Sequence, residues 1–73
     1  MSSKIRELDV VALLHGLPAR GLLAGQVGTV VEALDDGVFE VEFCDDNGRA
    51  YAMLALRQDE LMVLHYLPVA EAA

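Results

Sequence analysis

The stretch from Gly25 to Phe43 limits this chain's fold more than any other part. It reads Gly-Gln-Val-Gly-Thr-Val-Val, and then Val-Phe-Glu-Val-Glu-Phe after a short acidic turn. Val27, Thr29, Val30 and Val31 are β-branched and favour extended backbone, which predicts a strand from Val27 to Leu34. Gly28 inside that strand predicts a bulge or a close backbone approach, as at a barrel corner. Asp35-Asp36-Gly37 predicts a tight hairpin turn in which Gly37 takes a positive φ. The next strand, Val38 to Phe43, alternates strictly. Phe39, Val41 and Phe43 point one way, while Val38, Glu40 and Glu42 point the other. Such alternation places one face on a core and the other largely on water. No 3.6-residue period runs through this region, so a helical reading fails.

The flanking segments extend the pattern. Asp9 to Leu14 reads as a first strand that is apolar on both faces. A long loop from His15 to Gly25 follows, broken by three glycines and Pro18. Asp45-Asp46-Asn47-Gly48 is a second turn, and Asn-Gly is a strong hairpin signal. Ala50 to Leu56 reads as a fourth strand, with Tyr51 and Met53 on one face and Leu54 and Leu56 on the other. Arg57 to Glu60 predicts a single polar turn of the 3₁₀ kind before a fifth strand from Leu61 to Leu64. The tail from Pro68 either frays or docks as a short helix. Five short strands with closely spaced turns predict an all-β fold, a small barrel or sandwich. Closing the sheet removes exposed edges, which an apolar chain needs. The chain is read as one domain, residues 1–73, with a core over about 7–65 and a tail over 66–73.

Length sharpens the reading. At 73 residues the chain has room for one domain. Domains of about 60 residues bury only about 60% of the surface their unfolded chains expose. Many lean on a disulfide, a metal or a partner subunit. Cys44 is the only cysteine, so a disulfide within the chain is excluded. Cys44, His15 and His65 lack zinc-ligand spacing, and no metal or other cofactor is predicted. Oligomerisation remains, and 55% apolar residues favour it. No segment reaches the roughly 18 apolar residues of a membrane span. The first residues contain no apolar core of a signal peptide. A lone cysteine then fits a reducing cytoplasm. Twelve acidic against five basic residues give a net charge of −7, which repels nucleic-acid phosphates and anionic membranes.

A family pattern is carried by Glu7-Leu8-Asp9-Val10-Val11, Leu17-Pro18, Gly21-Leu22, Gly25, Gly28-Thr29-Val30-Val31, Val41-Glu42-Phe43, Gly48 and Leu56…Leu61. These residues, spread over 5–64, resemble the small bacterial domain-of-unknown-function 4926 family. They are mainly structural glycines and core positions. The resemblance implies an SH3-like five-stranded barrel and a short stand-alone accessory protein, and it supplies no catalytic residues. A more distant similarity, through Gly25 to Val31, is to KOW-type barrels of ribosomal and transcription proteins. The present loops depart from that pattern, carrying acids where KOW domains carry Lys and Arg.

The residues that could carry chemistry have simpler explanations. Cys44 ends a strand beside Asp45 and Asp46, and neighbouring carboxylates disfavour a thiolate. Asp35/Asp36, Asp45/Asp46 and Asp59/Glu60 sit in turns, where Asp bonds local backbone. Glu40 and Glu42 share one solvated face instead of opposing each other across a cleft. Asp45 to Gly48 lacks the distal bidentate Glu of a calcium loop. The apolar excess is harder to absorb. Val11, Leu13, Met53, Leu54, Met62, Leu64, Tyr66 and Leu67 are the candidate interface residues, since a small core cannot hold all the apolar side chains. The expectation is a non-enzymatic interaction module that forms a homo-oligomer and binds a protein partner, as an accessory or antitoxin-like protein. One alternative is a KOW-like nucleic-acid-binding barrel. Another is a ligand-binding or enzymatic subunit completed in an oligomer by His15, Cys44 or His65.

Overall fold

A computed structural model describes residues 5–68. It contains five strands: β1 (Val10–Leu13), β2 (Val27–Asp35), β3 (Val38–Cys44), β4 (Ala50–Arg57) and β5 (Leu61–Val63). Two 3₁₀ turns join them, Pro18–Arg20 in the long loop and Gln58–Glu60 before β5. All pairings are antiparallel, and the strands form one sheet in the order β4-β3-β2-β1-β5. Each strand lies within a residue or two of its expected bounds.

The expected closed barrel is corrected. No ladder joins β4 to β5 among the described residues, so the sheet is open. It is nevertheless rolled. Strands lie about 4.8 Å apart, so the edges of a flat five-stranded sheet would be roughly 19 Å from each other. A 3₁₀ turn rises only about 2 Å per residue. The three residues Gln58–Glu60 link β4 to β5, and they bridge the two edges only if the sheet coils until those edges meet at this corner. Closure stops there. β5 has only three residues, and the Arg57 N–H at the corner donates to Glu60 Oε1 at 2.8 Å.

The core lies inside the roll. Phe39, Val41 and Phe43 of β3 are buried, as their alternation predicts, and pack with Val11, Leu13, Val30, Leu54, Leu56 and Leu61. Glu40 and Glu42 on the other face are half-buried. The long loop contributes Leu22, which is buried, while its neighbour Leu23 is exposed. Leu22 and the half-buried Leu17 therefore close on the core, and Leu23 does not.

Gly28 makes the close approach its position predicts. A Cβ there would lie 2.8 Å from Val41 Cγ1 and 2.9 Å from both the Glu42 carbonyl oxygen and Phe43 Cδ2. The irregularities of β2 lie further along, where its register against β3 shifts between Val30 and Glu32 and again between Ala33 and Asp35. The turn after β3 closes over Asp45 to Gly48, where the sequence places it, and Arg49 leads on into β4. Gly48 N–H donates to the Asp45 carbonyl, Asp45 N–H donates to Arg49, and Gly48 holds φ +80°. Asp45 Oδ1 also accepts from the N–H groups of Asn47 and Arg49, so this acid is spent on the turn. Leu8 is the one described non-glycine residue with positive φ, at 74°. Its N–H donates to the Val30 carbonyl at 2.7 Å, and that bond helps hold it there. A left-handed residue of this type costs about 1–2 kcal/mol.

Candidate functional site

The eight candidate interface residues divide sharply. Val11, Leu13 and Leu54 are core residues with almost no exposed surface. They are removed from the interface set, because Val11 and Leu13 of β1 and Leu54 of β4 pack in the core inside the roll. Met53 and Met62 are about half exposed, at 46% and 52%, and Leu64 is half-buried. Tyr66 and Leu67 are the most exposed, at 83% and 81%. Val69 and the remainder of the tail, including the short helix considered for it, lie outside the described residues.

Strand register shows how the exposed apolar residues gather. Ala12 stands opposite Val27 on one side and Met62 on the other. This gives a cross-strand row Val27–Ala12–Met62 on the outer face of the roll. A second row runs Val10–Thr29–Glu42–Met53. Leu64 continues it, donating its N–H to the Val10 carbonyl at 2.9 Å. Residues opposite each other on one face lie about 4.5–5.5 Å apart at Cβ, so these side chains form a continuous surface. Glu40 and Glu42 of β3 cross it as an acidic strip. Reasoning from the sequence missed Val27, whose exposed side was concealed in a strand read as core. Its place two residues before Thr29, on the same face of the strand, was the available signal.

Tyr51 is held at the margin of this face. Gln26 Nε2 donates to its hydroxyl at 2.8 Å, and Leu23 N–H donates to Gln26 Oε1 at 2.9 Å. Its ring centroid lies 6.4 Å from that of Phe43. The long loop is thereby tied to β4, and Tyr51 presents its ring with its polar end satisfied.

Reactive chemistry is sparse. No cluster of His, Cys, Asp or Glu suited to a metal occurs among the described residues. None of their polar or charged side chains is buried. His15 and His65 are both exposed. Cys44 is exposed as well, yet its pKa is raised. Lost hydration comes first, then the charge of Glu42, a hydrogen bond from the thiol to Glu42, and the charge of Asp45. A raised pKa leaves less thiolate at a given pH. Alkylation of Cys44 by iodoacetamide at mildly alkaline pH is therefore expected to be slower in the folded protein than in urea. The pH midpoint of its rate should also shift upward. A folded rate matching the unfolded one would contradict this.

No described helix is long and apolar enough to cross a membrane. A family model for the domain of unknown function DUF4926 matches residues 7–63, more than three quarters of the chain. Comparison with curated proteins finds no match, and comparison with solved structures finds none either. The chain belongs to the DUF4926 family.

Proposed function

We propose that this member of the DUF4926 family is a non-enzymatic protein-interaction module that self-associates. The observation that carries this reading is the outer face. Val27, Met53 and Met62 stay exposed there with Leu64 beside them, although the core inside the roll is complete. A small domain gains little from leaving such side chains in water. Burying apolar surface is worth roughly 25 cal/mol per Å². Surfaces of this kind serve as contacts. The absence of buried polar side chains among the described residues supports a surface function over an enclosed catalytic site. The charge of −7 weighs against nucleic acid and in favour of a protein surface as the partner.

Light scattering of the purified protein at micromolar concentration tests the reading. The expected result is a mass of at least two chains, and an apolar dye such as ANS should bind more weakly as the oligomer forms. A strict monomer that binds no dye would sink the proposal.

A further inference from the structure

Among the described residues, strand β4 ends the sheet on one side and pairs only with β3. The direction of its backbone groups follows from one bond. Gln58 N–H donates to the Gly37 carbonyl at 2.9 Å, which marks that pair as hydrogen-bonded. Antiparallel pairs alternate between bonded and unbonded. The register is unbroken from Val38↔Arg57 to Phe43↔Ala52. Leu56, Leu54 and Ala52 therefore direct their N–H and C=O groups to β3, and Arg57, Ala55 and Met53 direct theirs to the open side. The Arg57 N–H does point there, since Glu60 Oε1 accepts it at 2.8 Å. Among the described residues no such acceptor meets the N–H of Met53 or Ala55.

Sheet edges are usually blunted by charges, proline or short length. β5 is blunt in this sense, being three residues long. β4 has eight residues, with no proline and no charge from Ala50 to Leu56. Its charges sit at the ends. Arg49 accompanies Asp45 and Asp46 at the start, and Arg57 accompanies Asp59 and Glu60 at the finish. In an antiparallel pair of identical strands, each start lies along the other's finish. With Met53 opposite the copy's Ala55, Arg49 of each chain then runs beside the copy's Asp59. A uniformly basic partner would find no acid along the middle of the strand.

We propose that β4 pairs antiparallel with β4 of a second copy of this chain, with Met53 opposite the copy's Ala55, joining two sheets across a two-fold axis. This pairing satisfies the open N–H and C=O groups of both residues in both chains and makes an isologous contact. It rests on the reading of the chain as self-associating and moves the contact from the outer face as a whole to the β4 edge, which shares only Met53 with that face.

Sedimentation velocity over a concentration series, with amide hydrogen exchange on the same samples, tests the pairing. A dimer is expected, with exchange at Met53 and Ala55 slowing as it forms. Met53→Pro removes an edge donor without removing a bond to β3. It should raise the dimer Kd about tenfold or more, as expected when a pair of net hydrogen bonds is lost. Met62→Asp, on the outer face away from the edge, should leave the dimer intact. If Met53→Pro fails to fold by circular dichroism, Met53→Lys and the wild-type exchange data decide. A dimer broken by Met62→Asp but not by either Met53 variant would overturn edge pairing and leave self-association standing. A monomer at every concentration would sink both. Slow exchange at Met53 and Ala55 in a monomer would give the edge to another part of the chain. Slowing only on addition of polylysine would give it to a basic partner. Either result overturns the proposal.

Discussion

Gly28→Ala is expected to cost about 3 kcal/mol, at the upper end of typical overpacking penalties. The position is buried, and the new methyl would come within 3 Å of three atoms at once. Side chains at Val41 and Phe43 have some freedom to shift. The Glu42 carbonyl oxygen, 2.9 Å away, belongs to the β3 backbone and is held by the ladder. Relief would require β2 and β3 to separate where Gly28 also faces Val11 of β1. Natural domains are stable by roughly 0.05–0.15 kcal/mol per residue, so this single methyl removes a large fraction of the total. Urea denaturation followed by far-UV circular dichroism measures it. The midpoint should fall steeply with little change in slope. Gly48→Ala is the control. Nothing lies within 4 Å of its added Cβ, and only its φ of +80° opposes the change, so its cost should be clearly smaller, about 1 kcal/mol. A Gly28→Ala midpoint equal to that of Gly48→Ala would refute the steric account.

Phe43→Ala is expected to cost about 3–5 kcal/mol and to leave much of the protein unfolded at room temperature. Phe43 is fully buried and is the largest side chain without solvent contact. It lies on the same inner row as Gly28 and Val11, where three strands converge. Removing the ring opens a cavity that the ladders on either side prevent from collapsing. Thermal melting by circular dichroism reads the effect. Because Phe43 Cδ2 is one of the three atoms a Gly28 methyl would strike, the two sites are coupled. Phe43→Leu combined with Gly28→Ala should cost less than the sum of the two single changes. Strict additivity would mean that Val41 Cγ1 and the Glu42 carbonyl carry the Gly28 penalty without Phe43.

How far the chain could be read depended on what each signal encodes. Phe39, Val41 and Phe43 were legible as core because alternation is a property of one strand and needs no partner. The hairpins were legible for a similar local reason, since Gly37 and Gly48 hold the positive φ their turns require. The second turn closes over Asp45 to Gly48 as read, and Asp45 secures it by accepting two further backbone N–H groups. The interface set was only partly legible. Val11, Leu13 and Leu54 carry the same apolar label as Met53 and Met62, and sequence periodicity cannot show whether another strand covers a face. The face of β1 that carries Val11 and Leu13 is covered, and the face of β4 that carries Met53 is not.

The sequence by itself determined the all-β class, the five strands, their turns and the inward set of β3. These follow from local backbone preference and period-two patterning, which act within a few residues. It also placed a close approach at Gly28, since a glycine amid β-branched residues weakens a strand unless something presses on it. Only the tertiary structure decided that the roll stays open. That outcome depends on a three-residue link, a three-residue last strand and the bond from Arg57 N–H to Glu60. Each is minor locally, but together they set how far the two edges stand apart. The open β4 edge and the apolar outer face follow from that geometry, because an edge exists only once every strand has its neighbours.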